Sequence, residues 1–343
     1  MYVIGLDIGG ANIKAADNDG STVSRAFALW REAERLTAEL RETLSTFRTP
    51  DHIAVTMTGE LCDCFATKAD GVAFILNAVE DAANAAPVAV WQTGAEFVPL
   101  QVARDIPRLV AAANWHALAT FCGRMTPTGS ALLIDVGSTT TDVIPLVDGF
   151  PVPSGMTDLE RLQAGELVYT GVRRTPICAV TREITFRESS CPLAAELFAT
   201  TLDVNLLLGE IPADPSDCDT ANGRPATIPH ATNRLARMLC CDRSEISPAE
   251  AHSIAAQIAE RQRKQIAAAI TRVLQTLPTP CSQVILSGSG ESLAREVVAF
   301  HARLSAADIQ SLPEILSPDV AGAACAFAVA KLAAERVTSH TVF

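Results

Sequence analysis

Carboxylates carried into glycine-rich loops by short apolar segments are the first chemistry legible in this chain. The run Asp7-Ile8-Gly9-Gly10-Ala11-Asn12-Ile13-Lys14 combines an acid, two glycines and two side-chain donors. Glycines let backbone amides close on an anion, and Asn12 and Lys14 add donors to it. A second run, Asp135-Val136-Gly137-Ser138-Thr139-Thr140-Thr141-Asp142, repeats the logic with hydroxyls in place of lysine. A third, Leu286-Ser287-Gly288-Ser289-Gly290-Glu291, takes an apolar segment through small residues into a helix. Small residues leave room for a flat ring or a sugar, and a helix N-terminus favours anions. Each run alone is an ordinary tight turn. In this order they place one Asp-ended strand in each half of the chain and can aim Asp7 and Asp135 at one gap. Mg²⁺ takes a few carboxylates and completes its shell with water and phosphate oxygens. Asp142 is expected to hydrogen-bond its own loop from behind. Two other phosphate motifs are excluded. Gly5 to Gly10 lacks GxGxxG and leads to a hairpin, and no Walker Gly-Lys-Ser/Thr is present.

The elements that must position these loops follow from periodicity. Strands are expected at residues 2–7, 13–17 and 22–29, with Asn18-Asp19-Gly20 turning the hairpin. Helix 32–47, strand 53–57, helix 67–86, strand 88–92 and helix 107–125 complete a first α/β unit. After the turn-rich 126–129 the opening pattern repeats: apolar strand 131–135, Asp, glycine loop, strand 141–147. This is a duplication of architecture rather than of sequence. Helices are expected at 195–208, 231–241 and 248–276, with a long Pro- and Asp-rich surface loop over 211–229. Strand 284–286 enters the third loop. An Ala-rich helix over about 319–336 closes the chain and packs back toward the hinge. The expected units are therefore 1–128 and 129–343, with a cleft between them.

Composition narrows the function. A chain of 343 residues suits two cores, and 48% apolar residues can fill them. A net charge of −12 excludes general binding to nucleic acid or to anionic membranes, though not a local basic pocket for a phosphate. The start MYVIGLDIGG has no basic leader, and no apolar run nears the ~20 residues of a spanning helix, so a cytoplasmic protein is expected. The cysteines, including the pairs Cys62/Cys64 and Cys240/Cys241, lack zinc-site spacing and are expected to be reduced thiols. The histidines are isolated and read as structural. Oligomeric state stays open to a homo-oligomer.

Two further places carry charge in a useful pattern. Glu60 and Lys68 flank the Cys62/Cys64 stretch and read either as an ion pair or as a substrate contact. Arg173-Arg174 before Thr175-Pro176, in an acidic protein, suit a phosphate or a carboxylate.

The three loops resemble the phosphate-1, phosphate-2 and adenosine motifs of the actin/Hsp70/hexokinase superfamily, across nearly the whole chain. Gly5-Leu6-Asp7-Ile8-Gly9-Gly10 and Asp135 to Val143 are most similar to the hydantoinase/oxoprolinase branch. Three more segments resemble the tetrahydromethanopterin-linked C1-transfer group within it. They are Thr56 to Leu61 with Lys68, Tyr169 to Pro176, and Arg234-Leu235-Ala236-Arg237-Met238.

The resemblance implies an actin-like ATPase fold of duplicated ribonuclease H-like units. It also implies a transferase that condenses an aminomethylfuran diphosphate with a (γ-glutamyl)tyramine phenol and releases pyrophosphate, in methanofuran-type C1-carrier synthesis. Asp7 and Asp135 would hold Mg²⁺. Gly9, Gly10, Asn12, Lys14, Gly137, Ser138, Thr139, Thr140, Gly288, Ser289, Gly290 and Glu291 would bind phosphate or nucleotide. Lys68, Arg173, Arg174 and Thr175 would bind substrate, and the base would be Asp7, Asp135 or Glu60. The alternatives are an ATP-dependent small-molecule kinase, an ATP-driven amide or ring hydrolase, and a non-catalytic nucleotide sensor. If 56–61 and 169–176 line the cleft, the transferase is favoured; if they lie away from it, the kinase is.

Overall fold

A computed structural model describes residues 1–340. Six strands form the first sheet: β1 (Val3–Ile8), β2 (Asn12–Asp17), β3 (Thr22–Ala26), β4 (His52–Met57), β5 (Val88–Gln92) and β6 (Glu96–Pro99). Their order is β3-β2-β1-β4-β5-β6. A second sheet is built from β7 (Ser130–Val136), β8 (Thr141–Val147), β9 (Phe150–Pro151) and β10 (Leu167–Val168). After an isolated hairpin, β11 (Glu183–Phe186) and β12 (Ser189–Pro192), it is completed by β13 (Cys281–Ser287) and β14 (Asp308–Ser311). Its order is β10-β8-β7-β13-β14, with β9 on β8. In both sheets the glycine-loop strand is central. It pairs antiparallel with its own hairpin partner on one side (β1 with β2, β7 with β8) and parallel with a crossover strand on the other (β1 with β4, β7 with β13). This is the duplicated α/β architecture expected from the loops.

Each sheet is covered on both faces, as parallel strands require. Helices Leu36–Ser45 and Lys68–Ala82 bury Leu40, Val72, Ile75 and Val79 against Leu6, Ile8 and Val55 on the outer face of the first sheet. Helices Pro248–Val273 and Glu291–Ala299 do the same for Leu132, Ile134 and Leu286 of the second. Between the sheets lie helix Asn114–Gly123 and the closing helix Ala324–His340. The closing helix sets Val329, Ala330 and Leu332 against Val3, Ala54 and Trp91, while Ala324 and Ala328 join the core of the second sheet. Contact with β1 is close: a Cβ on Gly5 would stand 1.9 Å from the Ala326 carbonyl oxygen, so only glycine fits there.

Several expected boundaries shift for physical reasons. Helix 107–125 is split into Pro107–Val110 and Asn114–Gly123, because Ala112 takes a positive φ of 47°. Helix 67–86 stops at Ala82, before Asn84 and Ala85, which also have positive φ. Helix 195–208 begins only at Thr201, where Thr200 and Asp203 form a capping box. The closing stretch is two helices, Pro318–Gly322 and Ala324–His340, broken at Ala323. Among the described residues, no helix is long and apolar enough to cross a membrane.

Candidate functional site

The loop mouths of β1 and β7 open on one cavity of about 470 Å³, within the range of small-molecule sites. The two loops are built alike. In each, the glycine two residues past the aspartate donates its amide to a carbonyl three residues on: Gly9 to Asn12 and Gly137 to Thr140. In each, strand register sets the aspartate opposite a charged residue of the hairpin partner. Asp7 faces Lys14, and Asp135 faces Asp142. The like-charge pair in the second loop is relieved by Arg161, fully buried, which donates to Asp142 and to the Glu166 carbonyl. Its guanidinium lies 4.0 Å over the Trp115 ring, a cation–π contact. Thus Asp142 reaches the cavity itself and pairs with a cation there, rather than serving its loop from behind.

Burial pushes the Asp7 carboxyl up to about 6, with Lys14 pulling it back. Asp135 also rises to about 6, through burial first, then Asp142 and in lesser part Asp7, against Ser287 and Lys14. Asp7 Oδ1 is buried without a hydrogen-bond partner. Two carboxylates facing one cavity, both reluctant to ionise and one with an orphaned oxygen, suit a divalent cation. The residues therefore fit Mg²⁺. Among the described residues there is no group of three or more His, Cys, Asp or Glu able to hold a metal. Further ligands would have to be water and phosphate oxygens, the set that Mg²⁺ prefers.

Glu60 lines the same cavity and is almost wholly buried, its Oε2 without a partner. Burial raises its carboxyl to about 7; Lys68 draws it down and Asp158 pushes it up. A carboxylate poised near neutrality is what a general base requires.

The two segments set out as discriminating both reach the cavity, through Thr58, Glu60 and Leu61 and through Tyr169 and Arg174. They also carry the loops from behind. Thr58 and Gly59 donate their amides to the Ile8 carbonyl at 2.9 and 3.0 Å. Val172 donates to Gly137, and Arg173 and Arg174 to Ser138, at 3.0–3.1 Å. A Cβ on Gly171 would stand 2.5–2.6 Å from the backbone of Gly137, Ser138 and Thr139, so glycine is what allows this approach.

Of the expected site residues, Asp7, Gly9, Gly10, Asn12, Lys14, Glu60, Asp135, Gly137, Ser138, Thr139, Thr140 and Arg174 line the cavity. Lys68 stands behind it, 3.5 Å from Asp158, which does line it. Arg173 points to Asp217, and buried Thr175 accepts from the Gly171 amide as a turn lock. The third loop lies apart. A Cβ on Gly288 would press on the Val136 carbonyl and Asp135 Oδ1, and one on Gly290 would press on Val136 and Val172. Glu291 accepts from Ser311 and pairs with Arg295. Ser289 borders a separate cavity of about 30 Å³, room for a water rather than a ring. The small residues of this loop serve close packing behind Asp135.

Sequence reading missed Arg161, Asp158, Trp115 and Trp30, while Leu61 and Tyr169 belong to the segments it expected at the cleft. Trp30, Leu61 and Tyr169 line the cavity and are each more than half exposed. The Thr157–Glu160 capping box, which starts the helix carrying Asp158 and Arg161, was the available signal.

A hydantoinase/oxoprolinase family model matches residues 51–336. A (4-{4-[2-(γ-L-glutamylamino)ethyl]phenoxymethyl}furan-2-yl)methanamine synthase of Methanocaldococcus jannaschii is 33% identical over 97% of this chain and 97% of its own length. A synthase of the same name from Methanococcus vannielii is 32% identical, covering 59% of this chain and 90% of its own. Among solved structures, nucleotide-free acetone carboxylase superposes with a TM-score of 0.52 at 12% identity, over 96% of this chain and 70% of that one, a likeness of fold.

Proposed function

The chain belongs to the hydantoinase/oxoprolinase family, and from that membership and the cavity we propose that it is a transferase joining an aminomethylfuran diphosphate to the phenol of a (γ-glutamyl)tyramine, with release of pyrophosphate. Its place is the synthesis of a methanofuran-type C1 carrier. The observation that carries this reading is a single cavity combining two amide-lined loops, two facing carboxylates and an aromatic rim. The loops suit a diphosphate, and the aromatic side chains suit flat rings.

The phenolic oxygen attacks the methylene carbon that bears the diphosphate. A C–O ether bond forms, the bond from carbon to the diphosphate oxygen breaks, and the leaving group takes the electron pair. Glu60 accepts the phenolic proton. The amides and hydroxyls of the two loops, with Lys14, take up the charge on the departing oxygens. Asp7 and Asp135 would hold Mg²⁺, whose charge offsets that of the diphosphate. Trp30 and Tyr169 orient the rings, which aligns the reacting atoms. The units 1–128 and 129–343 would close on the substrates from either side. The cavity that Ser289 borders is only about 30 Å³, which favours this reading over one that seats an adenine in it.

The test is turnover of purified protein with Mg²⁺, aminomethylfuran diphosphate and γ-glutamyltyramine, following pyrophosphate and ether. Acceptor-dependent pyrophosphate release that is lost in Asp7→Asn and Asp135→Asn supports the reading. ATP hydrolysis or phosphorylation of another acceptor, without ether, would sink it.

A further inference from the structure

Two of the segments singled out in the sequence meet in a feature that the phosphate chemistry does not use. Arg174 lies in the cavity wall, and its Nη2 donates to Asp219 at 2.8 Å. Beside it, Arg173 donates to Asp217 at 2.6 Å. Both acids belong to the Pro- and Asp-rich stretch 211–229, which by composition is a plain surface loop. Here it is fastened. Asp214 and Ala226 form a bridge across its base. Arg234, fully buried, donates to Asp203 at 2.7 Å and reaches Asn222 Oδ1 and the Arg224 carbonyl at 3.2 and 3.3 Å. A buried cation with its counter-ion thus holds one limb of the loop, and Arg173 with Asp217 holds the other. What remains is Asp219, 64% exposed, presented to Arg174, 38% exposed.

Folding stability gives little reason for this arrangement, since an exposed ion pair contributes at most about 1 kcal/mol. Nor does phosphate binding, because Asp219 would repel a phosphate. A guanidinium beside a carboxylate is complementary to a group carrying the opposite charges side by side. The guanidinium fork takes a carboxylate through two N–H donors, and the free carboxylate oxygen takes an ammonium. An α-amino acid head group has that pattern, and the γ-glutamyl end of the acceptor is one.

We propose that Arg174 and Asp219 bind the α-carboxylate and the α-ammonium of the γ-glutamyl group, and so select the glutamylated acceptor. This rests on the transferase reading above and assigns the recognition of one substrate end within it. Arg234 and Asp203 act as positioning residues by fastening the loop.

The full-length protein is assayed with aminomethylfuran diphosphate and three acceptors: γ-glutamyltyramine, glutaryltyramine, which lacks the α-ammonium, and N-butyryltyramine, which keeps the amide and lacks both charges. The wild-type kcat/KM should fall along that series. Arg174→Ala should erase the preference for glutaryltyramine over N-butyryltyramine, chiefly through a rise in KM of roughly tenfold, the worth of a partly exposed charge-assisted contact. Asp219→Asn, at an exposed position that leaves folding intact, should erase the preference for γ-glutamyltyramine over glutaryltyramine. Equal losses with all three acceptors, or preferences that survive both variants while the wild type turns over, would overturn the assignment and leave the transferase standing. A wild type that releases no pyrophosphate with any acceptor would overturn both.

Discussion

At Glu60 a carboxylate is held near neutrality in a cavity wall, and it accepts a proton only while ionised, which fixes the sign of its pH effects. Burial places its pKa at about 7. Activity should therefore rise as pH passes through 7. Glu60→Gln should remove that limb and lower kcat by about 10²–10⁴, the usual range for a general base. An unchanged limb would hand the role to Asp7 or Asp135. Stability should move the other way. A carboxyl raised above its ordinary 4.5 contributes stability below about 4.5, and that contribution is lost as pH climbs through 7. At pH 8 the Gln variant should therefore be less active yet melt higher, by an amount worth up to about 3 kcal/mol. Melting curves at pH 5 and pH 8 read the difference.

At the scale of the element, the segments behind the loops matter as much as the loops. Gly171 brings 169–176 against the backbone of the second loop, and a methyl group there would meet three of its backbone atoms within 2.6 Å. Gly171→Ala should displace Ser138 and Thr139, raising KM for the diphosphate substrate by tenfold or more. Overpacking of this kind costs about 1–3 kcal/mol of stability as well, so kinetics and melting are measured together. Full activity with a normal melt would show that the second loop does not depend on this support. The same geometry explains what could be read beforehand. Asp7, Asp135 and their glycines were legible because strand, acid and turn are neighbours in sequence. The third loop has the same residue types, but Gly288 and Gly290 make room for the chain's own β7, and residue type alone does not reveal that use. Arg161 is one arginine on a short helix until the fold sets it over Trp115 and against Asp142. The hairpin β11–β12 was hidden because its turn puts Arg187 and Glu188, not glycine or asparagine, at positive φ.

For the whole molecule, the two halves speak to each other electrically at the cavity. Lys68 comes from the helix over the first sheet and Asp158 from the second half, and they pair at 3.5 Å beside Glu60. Lys68 lowers the Glu60 pKa and Asp158 raises it. Lys68→Ala should shift the acid limb of the pH–rate profile to higher pH, and Asp158→Asn should shift it to lower pH. Shifts of the same sign would mean that the limb does not report on Glu60. Each variant should cost less than about 1 kcal/mol of stability, since the pair is partly exposed.

The contact between Gly5 and Ala326 sets a timetable. One face of the first sheet is covered by Val329, Ala330 and Leu332, from residues more than three hundred positions after β1. On the ribosome, β1 to β6 are complete long before that helix is translated. Through most of synthesis Val3, Ala54 and Trp91 have only Ala113 and Ala117, at the start of helix Asn114–Gly123, as partial cover on this face. The half of the protein that is made first is therefore among the last to finish folding, and the nascent chain carries a partly exposed apolar sheet face until its closing helix arrives.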